Sequence, residues 1–399
     1  MKYIDLNHLI PQLAEKGTWI GRCMVPAKKA HKGVAGPHVV LARKGKIYDL
    51  SAYYNSTSEL LNSKNPVTSL KALKDLPKLG NLTDVLKNSL YFNQNPNLPY
   101  LISPNDIQAI KACGVTFVKS LLERVIEEQA KGDASAAKEI RKTISASLGK
   151  DLSKVVPGSP QTKKLKKELQ KKGLWSQYLE VGIGKDAEIF TKAQPLSAVG
   201  FGAEIGVLKS SKWNNPEPEI VLAVSSSGKI MGATLGNDVN LRDYEGRSAL
   251  LLGEAKDQNG SCAIGPMFRL FDEKFTLDDV KKCDVQLFLE GKDGFTTSGS
   301  NNMTEISRTP ENLVAQVISE NHQYPDGFVL FLGTMFAPTK DRDKEGLGFT
   351  HKRGDQVTIS ASHLGTLTNW TNTCDKIPKW KFGIGAFTNY IVKRNSKKS

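Results

Sequence analysis

The chain of 399 residues has little cysteine and no pattern in it: Cys23, Cys113, Cys262, Cys283 and Cys374 are scattered, odd in number and form no Cys-x-x-Cys pair. Such usage excludes a disulfide framework and a cysteine zinc site, and it fits a reducing compartment. No uninterrupted apolar stretch approaches membrane-spanning length, so no membrane partner is expected. The start, Met1-Lys2-Tyr3-Ile4-Asp5, lacks a charged region followed by an apolar core. No secretory signal is read there, and the expected location is cytoplasmic. What the chain does have is positive charge, +14 in all, within a globular composition of 39% hydrophobic and 24% charged residues. The densest runs are Lys163, Lys164, Lys166, Lys167, Lys171 and Lys172, then Lys393, Arg394, Lys397 and Lys398. Neither is interleaved with stacking aromatics. They read as a solvated helix face and a frayed tail, not as a nucleic-acid surface.

The length is enough for two domains. Residues 1–105 read as a smaller N-terminal domain, with a strand pair around Val39 to Leu41 and Ile47 to Leu50 and a helix near Ser58 to Leu61. The Asn- and Pro-rich stretch from Asn93 to Pro104 is the expected boundary, and 106–395 the larger domain. There, Phe117, Leu121, Leu122, Val125 and Ile126 keep helical spacing, and Ser120 and Glu123 share one face beside that stripe. A second amphipathic helix at about 134–147 and the lysine-rich helix complete a helical insertion over about 121–179. Beyond Glu180 the chain turns strand-rich and glycine-punctuated, an α+β pattern weighted towards β.

The stretch that organises the chain runs from Asn214 to Pro266. Glu217 and Glu219 are one residue apart ahead of Ile220, Val221, Leu222 and Val224, so on an extended chain both carboxylates aim to one face. Pro216 and Pro218 place a strand start or a sheet edge there. A two-residue turn at Ser227-Gly228 would return the run Ile230 to Leu235 alongside and set Asp238 opposite Glu217. Three carboxylates on one patch repel unless a cation sits among them. An oxygen-only set suits a hard divalent ion, Mg²⁺ first, then Mn²⁺ or Ca²⁺. The residues alone leave a solvated acidic hairpin edge equally open.

Glu217-x-Glu219, Asn237-Asp238-x-x-x-Arg242-Asp243, Lys256 ahead of Gly265-Pro266, Gly333-Thr334, Gly354-Asp355-x-Val357 and Gly365-x-Leu367-x-Asn369 together resemble the fumarylacetoacetate hydrolase superfamily. The longer runs Trp175 to Gly184, Phe190 to Pro195, Trp213 to Glu219 and His322 to Gly327 are similar to its long bacterial subgroup of 2-keto-3-deoxy-pentonate dehydratases. The resemblance implies a mixed β-sandwich roll, a homodimer, a small 2-keto sugar acid as substrate and 2-oxoglutarate semialdehyde as product in pentose breakdown. It implies Glu217, Glu219 and Asp238 as metal ligands and Lys256 as the group near the substrate carbonyl. Arg242 and Thr334 are then expected to bind the substrate carboxylate, and Glu123 to move a proton.

Ser120 stands where the superfamily's hydrolases carry a histidine, with Glu123 three residues on. A hydroxyl cannot act as a base near neutral pH as imidazole does, which disfavours hydrolysis and leaves a lyase open. Glu245 stands where many hydrolases and decarboxylases have Gln, which suggests recognition of a hydroxylated chain. Acylpyruvate hydrolysis or decarboxylation of a 2-keto diacid is the alternative chemistry. A catalytically silent basic binding protein is the alternative of a different class.

Overall fold

An apolar run without alternation, such as Ile220 to Val224, calls for a strand buried on both faces. The computed structural model, which describes residues 17–141, 156–171 and 175–397, provides one. Strands β1 (Thr18–Val25), β2 (Gly36–Arg43), β3 (Lys46–Asp49), β4 (Lys78–Asn81) and β5 (Tyr100–Ile102) come first, among helices α1 (Thr57–Asn62), α2 (Pro66–Ala72) and α3 (Leu82–Ser89). Next come β6 (Ala109–Cys113) and a helical block of α4 (Val118–Gln129), α5 (134–141), α6 (Pro160–Lys171) and α7 (Gln177–Ile183). Strands β7 (Ile189–Ala193), β8 (Glu204–Val207), β9 (Asn214–Asn215), β10 (Pro218–Val224), β11 (Ile230–Asp238), β12 (Asn240–Leu241) and β13 (Cys262–Leu270) follow, with the short helices α8 (Arg242–Glu245) and α9 (Leu252–Lys256). The chain closes through β14 (Asp284–Glu290), β15 (Thr296–Asn302), β16 (Phe328–Phe331), β17 (Gln356–Ala361), β18 (Gly365–Thr373) and a C-terminal helix, Ile384–Ser396.

The larger sheet runs β4-β3-β2-β1-β13-β11-β10-β16-β6-β7, with β5 also on β1; a five-stranded sheet runs β15-β14-β17-β18-β8. Both are mixed, since β16 pairs parallel with β6 and β18 parallel with β8. Side chains of alternate parity on β10 enter different cores. Ile220, Leu222 and Val224 join Leu287, Ile359 and Leu367 between the sheets, whereas Val221 and Ala223 meet Phe268, Val329 and Phe331 on the far face. That two-sided burial explains the unbroken apolar run. A third cluster, including Leu121, Val125, Leu169, Leu179 and Trp213, packs the helical block.

Several expectations meet their outcome here. The β10–β11 ladder pairs Pro218 with Asn237 and Glu219 with Gly236, and the Asp238 N–H donates to the Glu217 carbonyl at 3.0 Å, so Asp238 does lie opposite Glu217. Pro218 begins the strand, where a missing N–H costs least. The division expected near residue 105 runs through a shared sheet, because β1 is hydrogen-bonded to β13. The second amphipathic helix is helical over 134–141, and its remainder to 147 lies outside the described residues. Lysines 163, 164, 167 and 171 are exposed on α6, as a solvated face requires, and Lys172 and Lys398 lie outside the described residues.

The frayed-tail reading of the C-terminus is corrected. Residues Ile384–Ser396 form a helix, and Arg394 is fully buried, donating to the Tyr390 hydroxyl at 3.1 Å and to Asn55 Oδ1 at 2.7 Å. Sequence charge alone cannot reveal such docking, because the amide that receives the arginine is 339 positions away.

Candidate metal centre and pocket

Period-two geometry on β10 and the cross-strand register bring Glu217, Glu219 and Asp238 to one side of the larger sheet. All three are buried, and each offers an oxygen within 4.8 Å of the others'. Their backbones are tied as well: the Glu217 N–H donates to Asn237 Oδ1 at 3.0 Å. Gly333 N–H and the Thr334 hydroxyl donate to the two oxygens of Glu219, at 2.7 and 3.3 Å. Burial, with the charges of Asp238 and Glu217 adding to it, holds the Glu219 carboxyl well above the ordinary range. Three converging buried carboxylates with no imidazole or thiolate among them fit a hard divalent cation.

Two lysines meet this cluster. Lys256, at the end of α9, places Nζ 2.5 Å from Glu217 and 3.0 Å from Asp238. Burial works against its charge, but Asp238, Glu217 and Glu245 outweigh burial and raise its pKa. Lys192, on β7, is also fully buried. Its Nζ lies 3.0 Å from Asp238 and donates to the carbonyls of Val239 and Lys256 and to Ser261 Oγ. It fixes the backbone that presents Asp238 and Lys256.

The helical wall differs from expectation. Ser120, which donates to the Phe117 carbonyl at 2.8 Å, lines the pocket, and so do Glu245 and Thr334. Glu123 and Arg242 do not. Both Glu123 oxygens are held by Arg141, at 2.7 and 2.9 Å, and Arg242 reaches one of them at 3.0 Å. Despite burial, these two arginines lower the Glu123 pKa. Arg242 also donates to Glu127 at 2.6 Å and stacks 4.3 Å above the Trp213 ring. The pocket arginine is instead Arg124, one position beyond Glu123. It hydrogen-bonds Glu127 at 2.5 Å and Glu217, and lies in ion-pair contact with Glu245 at 3.0 Å. Burial, partly offset by Arg124 and Lys256, pushes the Glu245 carboxyl above its usual range.

Sequence reasoning missed Arg124, Glu127 and Glu188. The first two follow Ser120 at i+4 and i+7, the spacing of one helix face, so a signal existed. Glu188 is the first of an alternating set with Phe190 and Lys192 at the start of β7, and Glu188 and Phe190 line the pocket. Burial, with Glu217 and Asp238 adding, raises the Glu188 pKa, although Arg124 and Lys256 oppose it. Gly114 makes room for it: a Cβ there would lie 1.7 Å from Glu188 Oε2.

Residues 161–371 match the fumarylacetoacetate (FAA) hydrolase C-terminal family. Over 183 residues the chain is 38% identical to a 2-dehydro-3-deoxy-D-arabinonate dehydratase of Saccharolobus solfataricus, covering 45% of this chain and 57% of that protein. Over 196 residues it is 31% identical to a probable 2-keto-3-deoxyxylonate dehydratase of Haloferax volcanii, covering 49% and 64%. The match thus spans roughly three fifths of each relative's length. Among solved structures, 2-keto-3-deoxy-D-arabinonate dehydratase complexed with magnesium and 2,5-dioxopentanoate shares the fold at 24% identity and a TM-score of 0.61, over 89% of this chain and 99% of that one. A fumarylacetoacetate hydrolase from Exiguobacterium antarcticum does so at 16% and 0.52, over 90% and 100%. With a mixed β-rich fold, a buried acidic triad and a family match across more than half its length, the chain belongs to the FAA hydrolase C-terminal family.

Proposed function

We propose that the protein is a divalent-metal-dependent hydro-lyase that converts a 2-keto-3-deoxy-pentonate to 2-oxoglutarate semialdehyde and water. One observation carries the reading: the pocket sets an ammonium and converging carboxylates around one space, and no histidine lines it among the described residues. Ser120 stands where the hydrolases of the family are expected to carry a water-activating histidine, and a hydroxyl does not replace imidazole as a base near neutral pH. Elimination needs a proton acceptor at carbon and a donor at the leaving hydroxyl, which carboxyl groups supply. The names of the Saccharolobus and Haloferax relatives support the same class.

In this reading Glu217, Glu219 and Asp238 hold the ion, Mg²⁺ in first place as in the complexed structural neighbour. A divalent ion bound there supplies a Lewis acid for the 2-keto acid end of the substrate. Lys256, beside Glu217 and Asp238, adds positive potential where negative charge develops on the C2 oxygen. Glu188, in no ion pair among the described residues and raised in pKa by burial, takes the C3 proton; the C4 hydroxyl leaves as water with a proton. A proton then moves from C5 to C3, and the resulting enol tautomerises to the C5 aldehyde. Glu245 and Ser120 face the hydroxylated end of the chain, and Thr334 stays on Glu219. A homodimer working in cytoplasmic pentose breakdown completes the proposal.

The test is an NMR time course of purified protein with Mg²⁺ and each 2-keto-3-deoxy-pentonate isomer, beside acylpyruvate and oxaloacetate, repeated with a chelator. A metal-dependent aldehyde signal from a deoxy-pentonate is the expected result. Cleavage of the carbon skeleton of acylpyruvate or oxaloacetate would overturn it in favour of hydrolysis or decarboxylation.

A further inference from the structure

A carboxylate that ligates a metal ion is held in orientation by partners outside the coordination shell. Each member of the triad has such a partner. Glu219 has the Gly333 amide and the Thr334 hydroxyl, and Asp238 has Lys192 and Lys256. None of these comes from the helical block. Glu217 is held differently: Lys256 bonds one oxygen at 2.5 Å, and the Arg124 guanidinium, from α4 in the helical block, bonds the other.

Arg124 is itself pinned. Its Nη1 meets Glu127 at 2.5 Å and Glu245 at 3.0 Å, while Nη2 meets Glu217. Glu127 in turn accepts from Arg242, which stacks on Trp213. The planar guanidinium therefore sits between three carboxylates from α4, α8 and the approach to β10, on a chain of ion pairs anchored at an aromatic ring. An ammonium in its place could supply the charge but not the planar, pre-set fork that bonds Glu127 and Glu217 at once.

We propose that Arg124 is a positioning residue of the metal centre: its fork fixes the plane of the Glu217 carboxylate for a divalent ion, so the helical block helps to set metal affinity. The proposal rests on the metal-binding part of the reading above and is independent of the substrate.

The experiment measures Mn²⁺ binding to the full chain, from the electron paramagnetic resonance signal of free Mn²⁺, for wild type, Arg124→Lys, Arg124→Gln and the surface control Lys163→Gln. Circular dichroism melts run alongside. Arg124→Lys is expected to fold and to bind Mn²⁺ roughly 10–100-fold more weakly, the usual cost of an outer partner. Arg124→Gln is expected to be at least as weak, and Lys163→Gln to match wild type. Arg124→Lys binding as tightly as wild type would overturn the proposal, because only the fork would have been removed. Should Arg124→Gln fail to fold, Arg124→Lys decides by itself. Wild type that binds no Mn²⁺ would overturn the metal reading first, an outcome distinct from a difference between variants.

Discussion

The pocket has a strand wall and a helical wall, and the two were unequally legible. On the strand wall the pairing of Glu217, Glu219 and Asp238 follows from a two-residue turn and a period of two. The ladder then leaves no freedom, since a slip of one residue would send every side chain to the other face. On the helical wall Ser120 is at the pocket, but Glu123 is drawn off by Arg141 and Arg242, and Arg124, held by Glu127 behind it, takes the inward place. A helix face spans a wide arc, so spacing names several candidates, and packing chooses among them. The comparison teaches that a ladder transmits geometry along the sequence, whereas a helix needs its neighbours to say which residue points where.

The sharpest way to break this comparison is on the strand wall. Asp238→Asn is expected to abolish metal-dependent turnover, beyond the roughly 10–100-fold that loss of an outer partner costs; a chelator-matched rate assay checks it. Glu188→Gln comes next. As the proposed proton acceptor its loss should lower kcat by roughly 10²–10⁴-fold, read from steady-state kinetics with unchanged Mn²⁺ binding. On the helical wall, Glu127→Gln leaves Arg124 and Arg242 each short of a buried partner, and should cost about 3 kcal/mol of stability in a urea melt.

Glu123→Gln tests the placement of that residue directly, and should leave kcat/KM within about threefold. Its effect belongs to stability and has a pH signature. The folded pKa of Glu123 is depressed, so its ion pairs contribute stability above the unfolded value of about 4.3, and that stability is lost as pH falls through the folded pKa. The gap between wild type and Glu123→Gln in denaturant melts should therefore close on acidification. A large loss of turnover instead would return Glu123 to the chemistry and erase the contrast between the walls. The smallest effect belongs to the exposed lysines of α6: Lys163→Glu with Lys167→Glu should change stability by no more than about 0.5 kcal/mol at each site in a urea melt.

Beyond the pocket, legibility divides along the same physical line. Strands at Val39 to Leu41, Ile47 to Leu50, Ile220 to Val224 and Ile230 to Leu235 were readable because apolar runs and glycine breaks are local signals. Joining β1 to β13 was not, since that pairing depends on residues some 250 positions apart that carry no mark of each other. Arg394 shows the same limit from the other side: a charge in a basic tail becomes a fully buried anchor only because Asn55 and Tyr390 are waiting for it.

By itself the sequence determined the acidic hairpin, its register, the all-oxygen character of its three carboxylates and, through motif order, the family. These are local or periodic properties, written in residue type and spacing. Only the tertiary structure decided that Lys256 Nζ sits between two carboxylates, that Glu188 packs against Gly114, and that Arg124 rather than Glu123 or Arg242 faces the pocket. Each of those outcomes depends on burial and on charges from elements distant in the chain. Electrostatic energy depends on spatial separation and solvent exposure, which no one-dimensional pattern encodes.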